Sequence, residues 1–172
     1  MTEKKQPLVS IIMGSTSDLP VMEKACKWLD EHEIPFEVNA LSAHRTPVEV
    51  QQFAEQAAGR GVKVIIAGAG MAAALPGVIA ASTNLPVIGV PIKGMLDGLD
   101  ALLSMVQMPP GIPVATVAIN GAQNAAVLAA QILAVGDAEI ATRVAEHKAG
   151  LSQKIVKANA ELSNLNYTHK TN

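Results

Sequence analysis

With 172 residues, 49% of them hydrophobic, and a formal net charge of −2, the chain has the size and material of one globular domain and no basic field to hold a polyanion. Aromatic residues make up only 2% (Trp28, Phe36, Phe53 and Tyr167), which leaves few platforms for stacked bases, so no nucleic acid is expected as a partner. The single cysteine, Cys26, excludes an internal disulfide and a multi-cysteine metal site.

The stretch Met1–Pro7 is charged, and the apolar run after it, Leu8–Met13, is too short for a secretory core with its cleavage site. The expected location is the cytoplasm. Leu8–Met13 reads instead as strand one. Leu19–His32 reads as a helix with Val21, Met22, Ala25, Cys26 and Leu29 on its inner face. Phe36–Leu41 is strand two, and Pro47–Arg60 a helix with Thr46 as N-cap and Pro47 in its first position. Val62–Ala67 is strand three, followed by a short helix within Ala72–Ser82. Pro86–Val90 is strand four, Leu99–Gln107 a helix, Val114–Ile119 strand five and Ala122–Leu133 an alanine-rich helix. Such strict alternation implies parallel strands and right-handed crossovers. The expected fold is α/β: three flavodoxin-like layers around a five-stranded parallel sheet of order 2-1-3-4-5.

Beyond Asp137 the pattern changes. Ile140, Val144, Leu151, Ile155, Ala158, Leu162 and Leu165 recur at helical spacings, with Gly150 as a candidate break. A continuous helix here reaches roughly 40 Å, more than a compact domain of this size spans. The single domain, 1–172, therefore divides into a catalytic core, 7–134, and a helical arm, 137–165, expected to contact a neighbouring subunit.

Charge is scarce in the middle of the chain. From Val64 to Gly136 only Lys93, Asp97 and Asp100 ionise at neutral pH. No membrane span is expected there, because the prolines and glycines that interrupt both uncharged runs would expose unpaired backbone to lipid. Burial on both sheet faces explains the runs. The uncharged surface left over points to a closed homo-oligomer.

Ligands of open α/β sheets bind beyond the carboxyl ends of the strands where strand order reverses, here between strands one and three. The loop Gly14-Ser15-Thr16-Ser17-Asp18 offers hydroxyls and free amides at a helix N-terminus, an anion site, although Ser17 or Asp18 could simply cap the helix. The loop Ser42-Ala43-His44-Arg45-Thr46-Pro47 adds a guanidinium able to grip phosphate and an imidazole able to move a proton near neutral pH. The loop Gly68-Ala69-Gly70-Met71-Ala72-Ala73 matches a dinucleotide fingerprint, but the acidic residue expected about twenty positions later is missing. Its glycines are read as allowing close approach to a small ligand, with packing as the alternative. Lys93, Asp97 and Asp100 either border the site or form a solvated rim. His32, His147 and His169 are read as structural or exposed. No metal-ligand spacing occurs, so no metal is expected.

Taken in order, Met13-Gly14-Ser15-Thr16-Ser17-Asp18, Ser42-Ala43-His44-Arg45-Thr46-Pro47, Ala67-Gly68-Ala69-Gly70, Leu75-Pro76-Gly77, Pro86-Val87-Ile88-Gly89-Val90-Pro91 and Val106-Gln107-Met108-Pro109 closely resemble the N5-carboxyaminoimidazole ribonucleotide mutase family of de novo purine synthesis. The family is also called the catalytic subunit of phosphoribosylaminoimidazole carboxylase. The resemblance runs from about Leu8 to Leu133, and Arg45 after His44 is similar to the bacterial class.

The resemblance implies a reaction without cofactor, in which a carboxylate moves from the exocyclic amine to ring carbon four of a small ribonucleotide. It implies His44 as the proton shuttle. Ser15, Asp18, Ser42 and Arg45 would hold the ribose phosphate, with Gly14 and Ser17 in the same binding set. Gly70, Met71 and Ala72 would line the imidazole and carboxylate, beside Leu75. An octamer with C-terminal helices reaching across subunits is also implied. Two stretches depart from the family. Where it usually reads Gly-Gly-Ala-Ala-His-Leu-Pro-Gly, this chain has Met71 for a glycine and Ala74 for the histidine, and Ile119–Asn124 is shorter than the usual glycine-rich loop. Direct carboxylation by dissolved carbon dioxide, or nucleotide binding without turnover, would use the same pocket.

Overall fold

The computed structural model describes residues 6–172; the first five residues of the charged N-terminal stretch lie outside the described residues. Strands β1 (Val9–Met13), β2 (Phe36–Ala40), β3 (Val64–Gly70), β4 (Val87–Ile92) and β5 (Ala115–Thr116) form one parallel sheet in the order β2-β1-β3-β4-β5. This is the order expected from the alternation of strands and helices.

Side chains of successive strand residues enter opposite cores, as the two-residue period of a strand requires. Val9, Ile11 and Met13 of β1, with Val64 and Ile66 of β3, face α1 (Leu19–Glu31) and α5 (Ala122–Ala134). Ile12, Ile65, Ala67 and Ala69 face α2 (Pro47–Gln56), α3 (Leu75–Ser82) and α4 (Leu99–Val106). Ala122, Ala125, Ala126, Ala129 and Ala130 are all fully buried, and their small size lets α5 lie close on the sheet. Leu29 of α1 is likewise fully buried, so Leu29→Ala costs about 2–5 kcal/mol. Ser10, the one buried polar residue among the described residues, donates to Glu37 Oε1 at 2.8 Å, and Arg60 holds the same carboxylate at 2.9 Å.

Several boundaries differ from the sequence reading. β3 continues to Gly70 rather than stopping at Ala67, because Gly68, Ala69 and Gly70 still pair with β4 as far as Gly70↔Ile92. β5 keeps only two paired residues of the expected six. It is an edge strand whose later contacts to β4, Val117 N to Gly89 O and Asn120 N to Pro91 O, fall out of regular register. The second helix ends at Gln56 and passes into a 3-10 turn, Ala58–Arg60, closed by Gly61 at φ 98. Thr46 takes the N-cap position of α2 as expected, but its side chain makes no capping hydrogen bond, since its Oγ1 is occupied within the preceding loop.

The tail forms one unbroken helix, α6 (Ala138–Leu162), so Gly150 does not interrupt it. Asp137 caps it by accepting from Glu139 N and Ile140 N at 3.0 Å. Its first turns are docked. Ile140 enters the core, Arg143 donates to the carbonyls of His32 and Glu33, and the His147 ring meets Trp28 and His32 edge-on. Past Gly150 the apolar stripe leaves the body: Ile155 is 72% exposed, and Leu151 and Leu162 are exposed too. Among the described residues no helix is long and apolar enough to cross a membrane.

Candidate active site

Because β1 lies between β2 and β3, the loops after these three strands must emerge side by side. Two backbone bonds extend the ladder past the strand ends and tie the loops together: Leu41 N to Met13 O at 3.0 Å and Gly14 N to Gly68 O at 3.2 Å. Gly68 has a further task. A Cβ on it would collide with the Met22 side chain, so the glycine lets α1 settle onto β3 and brings the first loop down to the sheet.

In the first loop Ser15 Oγ accepts from Ser17 N at 3.3 Å and closes a 3-10 turn, Thr16–Asp18, ahead of α1. Neither Ser17 nor Asp18 caps α1 through its side chain. Ser17 Oγ donates to Asp18 Oδ1 at 3.4 Å instead. Burial pushes the Asp18 carboxyl above its ordinary value, while the Ser17 hydrogen bond, the Ser15 backbone and the Arg45 charge pull it down.

The second loop is folded around Ser42. Its N–H donates to Thr46 Oγ1 at 2.9 Å, and that hydroxyl donates back to the Ser42 carbonyl at 3.1 Å. The Arg45 N–H and Nε both donate to Ser42 Oγ, and Arg45 Nη2 reaches across to Gly14 O at 2.8 Å. One guanidinium thus bridges two loops while staying exposed to solvent. His44 is exposed beside it, with no hydrogen bond to a described residue.

On the third side, the bare Cα of Gly70 packs against the β4 backbone; a Cβ there would lie 3.3 Å from Ile92 O. Met71 then adopts φ 57, and Ala73 N donates to its carbonyl at 2.8 Å before α3 begins. The left-handed backbone costs a non-glycine residue about 1–2 kcal/mol.

Together the loops enclose a cleft of about 480 Å³, within the range of small-molecule sites. The structure places Gly14, Ser15, Ser17, Asp18, Ser42, His44, Arg45, Gly70, Met71, Ala72 and Leu75 in its lining. Leu75 contributes little surface, being 2% exposed. Ala43, Ala69, Ala73 and Ala74 complete the wall. A methyl group carries no chemical signal, so only their position in the loops could have pointed to them. Lys93, Asp97 and Asp100 do not line the cleft. Lys93 pairs with Asp97 at 2.9 Å, and Asp100 accepts from Ala101 N at 2.9 Å. Among the described residues no three His, Cys, Asp or Glu side chains stand together as a metal site.

The family described as AIR carboxylase matches residues 8–154. N5-carboxyaminoimidazole ribonucleotide mutase of Thermotoga maritima is 52% identical over 96% of this chain and 98% of its own length. The Bacillus subtilis protein of the same name is 53% identical over 91% of this chain and 99% of its own. Phosphoribosylaminoimidazole carboxylase of Candida glabrata is 51% identical over 96% of this chain, which spans only 29% of that longer protein. The crystal structure of Treponema denticola PurE superposes with a TM-score of 0.83 at 33% identity, covering 91% of this chain and 98% of that one.

Proposed function

The chain belongs to the AIR carboxylase family, and on that premise we propose that it is an N5-carboxyaminoimidazole ribonucleotide mutase, an isomerase of purine biosynthesis. The observation that carries this reading is the joining of three loops in one cleft, with Arg45 bound to both Ser42 and Gly14.

The reaction is balanced without an external reagent. The N–C bond of the carbamate breaks, its electron pair stays on nitrogen, and carbon dioxide leaves as the nitrogen takes a proton. The electron-rich ring carbon four then attacks carbon dioxide, forms the new C–C bond and loses its proton. One group that gives the first proton and accepts the second leaves no net change. His44 fits that role: it is exposed on the cleft, makes no hydrogen bond to a described residue, and carries an imidazole able both to give and to accept a proton. Arg45, Ser15, Ser17, Ser42 and Asp18 supply charge and hydroxyls for the ribose phosphate, and the small residues Gly70, Ala72, Ala73 and Ala74 leave room for the ring.

Purified protein should isomerise the carbamate ribonucleotide without ATP. His44→Asn should lower kcat by about 10²–10⁴ with an unchanged circular dichroism spectrum. Full activity in that variant would refute the shuttle. The name of the Candida glabrata relative favours a second reading, direct carboxylation of the aminoimidazole ribonucleotide. Turnover that requires bicarbonate would single it out.

We also take the protein to act on its ribonucleotide as a cytoplasmic homo-octamer, the exposed half of α6 packing on a neighbouring copy. The support is its apolar stripe, with Ile155 and Leu162 in solvent in the single chain. Ile155→Lys should shift the sedimentation coefficient to a smaller species.

A further inference from the structure

We infer that Met71 is the cover of the cleft: its thioether side chain closes over the exchanging carboxyl group and keeps the released carbon dioxide beside the ring carbon. The inference rests on the mutase reading above. Of the described non-glycine residues with positive φ, Met71 alone lines the cleft. A glycine, the residue that the resembled family usually has here, would adopt φ 57 without strain, so a long side chain in its place calls for something that the side chain does.

Its surroundings indicate what that is. Gly70, Ala72, Ala73 and Ala74 form the adjoining wall and offer no bulk. Leu75, the other long apolar side chain of the lining, is packed into the core below. Met71 is 64% exposed while its backbone is held by the Ala73 hydrogen bond. The apolar side chain free to swing across the mouth is therefore an unbranched one with three rotatable bonds. The chemistry is served by such a cover. Between N–C cleavage and C–C formation the carboxyl carbon is held by no bond. Carbon dioxide is small and apolar, and water entering the cleft lets it leave. A methionine excludes water without adding a competing acid or base.

The experiment follows the fate of the carbamate ribonucleotide in the full-length protein without ATP. It measures ring-carboxylated product against decarboxylated aminoimidazole ribonucleotide, above the spontaneous rate. Met71→Gly suits the local backbone and should fold. It should raise the decarboxylated share about tenfold or more relative to the native protein. Met71→Leu, which keeps apolar bulk, should leak less than Met71→Gly. An unchanged product ratio in Met71→Gly, or equal leakage from both variants, would overturn the cover. Native protein that forms no ring-carboxylated product would instead sink the mutase reading, and the cover with it.

Discussion

The sheet carries a hollow at each end, and the two differ in kind. At the amino ends of β4 and β5 lies the larger one, about 750 Å³, lined by Ala80, Ala81, Thr83, Asn84 and Pro113, with Glu55 as its one charged residue. At the carboxyl ends of β1, β2 and β3 the cleft is only about 480 Å³, yet it gathers Asp18, His44, Arg45 and three serines. It also contains a methionine in left-handed backbone. Volume follows from how helices meet a sheet. A site needs groups that can bind and move charge, held by a scaffold that supplies their strain and desolvation.

The sharpest way to break this comparison is to remove the charge that joins the loops. Arg45 donates to Ser42 Oγ and to the Gly14 carbonyl, so Arg45→Ala removes both the bridge and the cation. Hydrogen bonds to a charged group contribute about 1.5–3 kcal/mol, which translates into a loss of roughly 10- to 150-fold in kcat/KM, mostly through KM. Arg45→Lys keeps the charge but loses the fork, and should recover only part. An unchanged KM in Arg45→Ala would mean that gathered charge is not what makes the carboxyl end a site.

That end of the molecule was also the more legible in sequence. Glycines, hydroxyls, His44 and Arg45 stand directly after apolar strand runs, and the alternation of strands and helices fixes which loops become neighbours. What could not be read is how the groups pair. The bond from Arg45 to Gly14 spans 31 residues and depends on β1 lying beside β2. Thr46, an evident helix cap by position, instead spends its hydroxyl on Ser42, because the loop must close on itself before α2 begins. Boundaries failed where side chains are small or one-sided. Gly68–Gly70 look like loop but pair with β4. The run Val114–Ile119 looks like strand, but at the sheet edge only Ala115 and Thr116 keep register.

A smaller effect sharpens the contrast through stability. Burial raises the Asp18 carboxyl above its ordinary 3.8, so folding favours the protonated form. The native fold therefore gains on the unfolded chain as acid is added through the window just above 3.8, and loses that gain as pH rises through the folded value. Asp18→Asn removes the cost of the buried charge at pH 7. It should raise stability there by less than about 1 kcal/mol, since Asp18 is partly exposed and screened. Urea melts at pH 7 and pH 4 should show the advantage shrinking at the lower pH. A variant less stable at pH 7 would mean that the hydrogen bonds from Ser17 and Ser15 outweigh burial.

The smallest expected effect belongs to the other end of the sheet. Asn84 lines the larger hollow, is exposed, and makes no side-chain hydrogen bond to a described residue. Asn84→Ala should therefore change stability by no more than about 0.5 kcal/mol and leave kcat/KM within about twofold. The two hollows lie at opposite ends of the strands, and β3 and β4 between them pair over six residues and are buried except at Gly70. A polar truncation at the amino end has no packed element to displace and hence no route to the loops at the carboxyl end. A tenfold loss would mean that the larger hollow bears on turnover, and that the number of charged groups is a poor guide to which cavity in this fold does chemistry.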